Sequence, residues 1–175
     1  GETVYLNHGF GAATSYGRSN IIIRHMRFRA GYKEVGDTYS LGLKPAHNVM
    51  LDHCSIEVGN WQTLSISYNT TTGERPSDIT VQNCIVGASV SNQLAALCWS
   101  PENLTFHHNL FIDNGGRDPK TDGNMQVIND VIYNFRLGIY GNGSGTEVCD
   151  FVGNYHINGP GTHANSLNTG INVDN

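Results

Sequence analysis

A chain of 175 residues, 38% hydrophobic and only 14% charged, is long enough for one domain with a buried core. Its formal charge of −5 argues against a general nucleic-acid binder and leaves room only for a local basic strip facing an acidic polymer. No run approaches the ~18 apolar residues of a membrane-spanning helix.

In chain order, a short Gly-rich lead runs into a nine-residue phrase, Asn20-Ile-Ile-Ile-Arg-His-Met-Arg-Phe28. The phrase returns at Asn48–Ile56, Asp78–Val86, Asn103–Phe111, Asn124–Ile132 and, more weakly, Val148–His156. Aligned on the seventh position, the copies lie 28, 30, 25, 21 and 24 residues apart, a spacing that signals supersecondary units stacked on one another. Five of the six copies open with Asn or Asp, whose side chains bond nearby backbone and tolerate left-handed conformations.

The second and fourth positions are apolar: Ile21/Ile23, Val49/Leu51, Ile79/Val81, Leu104/Phe106, Met125/Val127 and Cys149/Phe151. The residue between them drifts towards polar (Thr80, Thr105, Gln126, Asp150), giving the period-two alternation of a half-buried strand. No stretch sustains the apolar spacing of a helix, and the 21 glycines fall largely between the copies, where turns are needed. The pattern predicts an all-β protein, a right-handed parallel β-helix of about six coils. An antiparallel sandwich is disfavoured, because hairpins do not recreate one phrase in one direction along the chain.

No amphipathic cap is visible before the first copy, and the chain ends in polar Asn165–Asn175. Residues 1–175 are therefore expected to form a single β-helix domain that is part of a longer chain, since an uncapped coil exposes unpaired strand edges. Cys54 and Cys84 share the seventh column. Stacked residues have parallel Cβ vectors, which favours buried thiols over a disulfide. His107 and His108 are adjacent, so strand geometry would aim them at opposite faces and make them core or ladder residues.

Several phrases together resemble the pectate lyase/pectin lyase family of polysaccharide lyases. They are Asn48-Val-Met-Leu-Asp-His-Cys-Ser, Leu104-Thr-Phe-His-His-Asn-Leu-Phe, Asn114-Gly-Gly-Arg-Asp-Pro-Lys and Val127-Ile-Asn-Asp-Val-Ile-Tyr-Asn. Val152-Gly-Asn-Tyr-His-Ile-Asn-Gly-Pro-Gly-Thr resembles the family's closing coil, so the resemblance runs in order from Asn20 to Thr162. It implies a secreted protein with a groove along one parallel sheet, binding an acidic polysaccharide such as polygalacturonate and cleaving it by β-elimination. In the family, Ca²⁺ commonly neutralises the uronate carboxylate so that the neighbouring proton becomes acidic.

Arg117 matches the family's catalytic arginine, described there as the general base. Guanidinium is a poor base, and an electrostatic role towards the carboxylate is physically easier. Lys120 falls where many relatives carry a second basic residue; gripping a neighbouring uronate and a solvated loop charge are equally good readings. Asp37 falls at a calcium-binding aspartate of the family, although glycine before aspartate is also ordinary turn chemistry. Asp52 and His53 match an Asp-His pair that reads as structural or wall-lining.

Two departures stand out. Relatives carry acidic residues where this chain has Trp61-Gln62-Thr63-Leu64, and Asp37 alone would hold calcium poorly. Trp61 offers a flat platform for a sugar face, or simply covers the sheet. Asn92-Gln93-Leu94-Ala95-Ala96 is neutral where relatives often carry Lys or His. Three readings therefore stay open: a calcium-dependent lyase, a calcium-independent lyase with an altered substrate, and a non-catalytic relative. The last includes a carbohydrate-recognition β-helix, such as an adhesin or viral spike domain, and a purely structural extracellular protein.

Overall fold

A computed structural model describes residues 18–31, 39–90, 94–142, 147–162 and 171–174. All assigned elements among them are β-strands, grouped into three sheets of six strands in which every pairing is parallel. Sheet A contains β1 (Arg18–Arg24), β4 (Ala46–Asp52), β7 (Ser77–Gln82), β10 (Glu102–His107), β13 (Met125–Ile128) and β16 (Cys149–Val152). Sheet B contains β2 (Arg27–Arg29), β5 (Ser55–Glu57), β8 (Ile85–Gly87), β11 (Leu110–Ile112), β14 (Val131–Tyr133) and β17 (Tyr155–Ile157). Sheet C contains β3 (Tyr39–Leu43), β6 (Gln62–Ser67), β9 (Leu94–Trp99), β12 (Lys120–Asp122), β15 (Ile139–Asn142) and β18 (Ile171–Asp174).

The chain visits A, B and C in rotation, which is the parallel β-helix expected from the repeat. Between β1 and β16 it returns to sheet A five times, so the solenoid makes about five turns where about six coils were expected. Six copies of a phrase enclose only five intervals.

The nine-residue phrase is two strands, not one. Its first part builds sheet A and its last residues build sheet B. The corner is the sixth position, where His25, His53, Asn83, His108 and Asn129 take φ between 52 and 58 and Gly153 takes φ 66. A single left-handed residue turns the chain sharply, and Asn, His and Gly are among the residues that enter this region most readily. The opening positions Asn20, Asn48, Asp78 and Asn103 are left-handed too, as their residue types implied.

This corner corrects the reading of the two adjacent histidines. His107 ends β10 while His108 occupies the left-handed turn, so strand alternation does not apply. Their rings meet at 5.2 Å with the Nδ1 atoms 2.9 Å apart, and His108 is exposed, so the pair belongs to the surface and not the core. Among the described residues no group of three His, Cys, Asp or Glu gathers as metal ligands.

Register explains the core. Val49, Ile79, Leu104 and Met125 stack in one column of sheet A, and Leu51, Val81, Phe106 and Val127 in the next. Phe28, Ile56, Val86, Phe111 and Ile132 form the column of sheet B. All are at most 3% exposed, and each such side chain contributes about 1.5–3 kcal/mol on burial.

The seventh position forms an interior polar ladder. The Cys54 amide donates to Cys84 Sγ at 3.3 Å, and the Cys84 amide to Asn109 Oδ1 at 2.9 Å. The Asn109 amide donates to Asp130 Oδ1 at 2.6 Å, and the Asp130 amide to Asn154 Oδ1 at 2.9 Å. Each of these four corner amides, which lie outside the strand ladders, thus finds an acceptor one coil on. The four cysteines are free thiols, as column geometry implied for Cys54 and Cys84, and burial pushes Cys84 up to about 12.

Candidate functional site

The chemistry gathers on sheet C. Leu41, Leu64 and Ala96 fill one inward column of this sheet and Leu43, Ile66 and Cys98 another. Alternation then turns Gly42, Ser65, Leu97, Lys120 and Tyr140 outward as one row of register neighbours. Ser67, Trp99 and Asp122 form a second outward row. The floor is small and closely packed: Ser65 and Ser67 hydroxyls lie 3.2 Å apart, and both residues are buried.

Arg117 stands just before β12 with φ 60, and its side chain is half-buried. Burial pulls the guanidinium below its ordinary value, while the nearby hydroxyls of Tyr140 and then Tyr39 draw it back up. No carboxylate pairs with Arg117 among the described residues. Tyr39 in turn lies 6.0 Å, ring to ring, from Trp61, and both Tyr140 and Tyr39 lie within electrostatic reach of Arg117.

Lys120 lies within β12 and is not a solvated loop charge. Its Nζ is 3.6 Å from Asp122 Oδ2, and both side chains are largely buried. Trp99 is exposed, with Tyr68 set edge-on against it at 4.9 Å.

Asp118, next to Arg117, is fully buried. Neither of its carboxylate oxygens has a hydrogen-bond partner of good geometry, so Asn114 nearby opposes the effect of burial only weakly. Burial pushes Asp118 up to about 8, which makes it a neutral acid at pH 7 that does not quench Arg117. The opposite holds for Asp52 on sheet A. It accepts from Gln82 Nε2, Asn83 Nδ2, His53 Nδ1 and Arg24 Nε at 2.7–3.1 Å, which holds it far below the usual carboxylate range. Asp52 is thus a structural pin, consistent with one of the two readings of the Asp-His pair.

Asp37 lies outside the described residues. Of the described carboxylates near Arg117, Asp122 is paired with Lys120 and Asp118 is fully buried. Gln62, which stands where an acid was expected, is itself fully buried, its side-chain amide without a partner. A hard dication wants several oxygen ligands with negative charge among them, which these described donors by themselves do not supply.

Two surface hollows lie on sheet A. One of about 420 Å³ is lined by Glu102, Asn103, Asn124, Gln126 and Asp150 on sheet A, and a second lies near Asn20 and Asn48. Neither is lined by an arginine or a lysine, so charge locates the candidate site better than concavity does on this open face.

Tyr39, Tyr140, Trp99, Asp118 and Asp122 were not anticipated. The spacing Lys120-Thr-Asp122 was a usable signal, since residues two apart in a strand share a face.

No family model matches the chain, and no solved structure does. The chain is 30% identical over 174 residues to a probable pectate lyase C of Aspergillus fumigatus, covering 97% of this chain and 39% of that protein. It is 33% identical over 176 residues to a probable pectate lyase C of Emericella nidulans, covering 97% of this chain and 38% of that protein. Pectate lyase 2 of Pectobacterium carotovorum matches at 30% over 136 residues, covering 71% of this chain and 35% of that protein. The chain therefore spans well under half the length of these relatives. A parallel three-sheet solenoid, the ordered phrases along it and relatives of one kind lead to a single assignment: the chain belongs to the pectate lyase-like parallel β-helix family.

Proposed function

We propose that the outer face of sheet C binds an extracellular uronate polysaccharide such as polygalacturonate and cleaves it by β-elimination, with Arg117 at the reactive centre. The observation that carries this reading is a half-buried arginine with no carboxylate partner among the described residues, beside aromatic side chains on a parallel sheet. A guanidinium in such surroundings offers a planar, partly desolvated fork for a carboxylate. Bound there, the carboxylate is neutralised, the proton on its α-carbon becomes more acidic, and the charge that develops in the transition state is stabilised. Trp61 and Tyr39 supply an apolar surface for a sugar ring, and Lys120 a second cation at the next outward position. In this scheme the arginine does what calcium does in many relatives, and the reaction is calcium-independent.

A second reading, a non-catalytic carbohydrate-recognition module, is favoured by one observation. Lys120 is already engaged by Asp122, which reduces the free positive charge of the face.

Incubating the secreted full-length protein with polygalacturonate, pectin and other uronate polymers, with calcium or with chelator, separates the readings. Ultraviolet absorbance from the unsaturated product, insensitive to chelator and lost in Arg117→Ala, is the expected result. Binding without product supports the recognition module. Neither signal on any of the polymers defeats both.

A further inference from the structure

The corner between sheets A and B carries nitrogen chemistry that the sheet C face does not use. Along a strand, adjacent side chains point apart, but His107 ends β10 and His108 takes the left-handed turn with φ 58. The turn brings the two rings together. They stand edge to face, 88° between planes, with the Nδ1 atoms 2.9 Å apart. Imidazoles that meet nitrogen to nitrogen share one proton between two lone pairs, one ring donating and the other accepting. His107 is half-buried and His108 exposed, so the meeting point lies at the surface.

That separation is also the bite of a metal ion. Two imidazole nitrogens bound at ~2.0–2.1 Å and at right angles stand about 2.8–3.0 Å apart, whereas tetrahedral angles open them to about 3.3–3.4 Å. Right angles suit tetragonal Cu²⁺ and Ni²⁺, and nitrogen donors bind Cu²⁺ most tightly of the first-row dications. Calcium, which wants oxygen, is a poor match. Asp52, kept ionised by its four donors, adds negative charge within electrostatic reach of His107. Neighbouring coils show what the pair replaces. Gln82 is the register neighbour of His107, and the corner positions on either side of His108 are Asn83 and Asn129. Of the six corners, this one alone sets two imidazoles at successive positions. His25 and His53 also stack, ring to ring at 5.4 Å, but His53 commits its Nδ1 to Asp52 Oδ1 at 2.7 Å.

We propose that His107 and His108 form a binding site for one Cu²⁺ ion, held by their two Nδ1 atoms with water completing the coordination. The ring that carries its proton on Nδ1 moves it to Nε2, so both Nδ1 lone pairs face the ion and the neutral pair releases no net proton. The ion takes the place of the hydrogen bond between the rings and ties the end of β10 to the corner, with no change of oxidation state. This site belongs to the corner between sheets A and B, so it stands or falls apart from the uronate reading of sheet C.

The test is a calorimetric titration of the full-length protein with Cu²⁺ in a non-chelating buffer at neutral pH. The wild type is expected to bind one ion with micromolar Kd, and excess Ca²⁺ to leave the isotherm unchanged. The double variant His107→Gln/His108→Asn writes the Gln82-Asn83 corner into the next coil, a sequence that this fold already accommodates. It is expected to bind at least about 100-fold more weakly, since even the outer partners of a metal ligand are worth 10–100-fold. His47→Gln, on sheet A, is expected to match the wild type. A double variant that binds within about threefold of wild type, or a loss that follows His53→Gln instead, overturns the proposal. Should the double variant not fold, the wild type decides by nuclear magnetic resonance. Paramagnetic Cu²⁺ is expected to broaden the ring signals of His107 and His108 before those of any other histidine. Broadening that begins elsewhere, or no binding in excess Cu²⁺, overturns the site.

Discussion

Sheets A and C hold the same number of strands in the same parallel stacking, yet they are built by different rules. Sheet A is written in a repeating phrase whose inward columns, Val49–Ile79–Leu104–Met125 and Leu51–Val81–Phe106–Val127, stay apolar from coil to coil. Sheet C fills most of its inward positions with apolar side chains, with Gln62 and Thr121 as buried polar exceptions, but its outward row changes at every level: Gly42, Ser65, Leu97, Lys120, Tyr140. A stacked core rewards like on like, because each side chain fills the space left by its neighbour above. A binding face gains nothing from repetition, since each level meets a different part of a ligand. The contrast separates what holds the coil from what the coil presents.

Four substitutions strain that contrast. The largest stability effect is expected at Phe106, fully buried in sheet A with its ring 5.7 Å from Phe111. Phe106→Ala should cost about 3–5 kcal/mol in a urea or thermal melt. Arg117→Ala should leave the melt within about 1 kcal/mol of wild type, because the side chain has no ion pair to lose among the described residues.

Next comes Asp118, a fully buried carboxyl just before β12. Its folded value of about 8 lies above that of an unfolded carboxylate, so the folded state keeps a proton that the unfolded chain releases. Stability contributed by this group is therefore fully present below about pH 4, falls as pH rises towards 8, and is flat beyond. Asp118→Asn should flatten that slope in denaturation curves taken at stepped pH, and a slope unchanged by the substitution would refute the assignment. Trp61→Ala is expected to have the smallest effect, raising KM about tenfold with kcat nearly unchanged. Steady-state kinetics on the preferred polymer would expose a different outcome.

The same contrast explains what could be read in advance. The phrase around His53 or Asn109 contains sheet A, the corner and sheet B, so two of the three sheets were visible as one repeat. Sheet C lies wholly in the variable stretches between copies, where Leu94–Trp99 and Lys120–Asp122 share no consensus that a repeat search could find. Arg117 was found through a resemblance. Tyr140, one level beyond it, could not be, because the pairing of β12 with β15 depends on how many residues the intervening turns consume. The His107–His108 error has a local cause: a period-two rule was carried one residue past a left-handed corner. An aspartate between arginine and proline reads as loop, and only packing shows that Asp118 is fully buried.

The seventh-position ladder has one more consequence. Cys54 gives its amide hydrogen to Cys84, Cys84 to Asn109, Asn109 to Asp130 and Asp130 to Asn154, always from the earlier residue to the later. The stack therefore has a polarity like that of a row of leaning books. Each coil is completed by its successor, and a defect at one rung first loosens the rung that was made before it. A polypeptide emerging from its N-terminus would leave each corner amide waiting 21 to 30 residues for its acceptor, so that the newest coil is always the least finished.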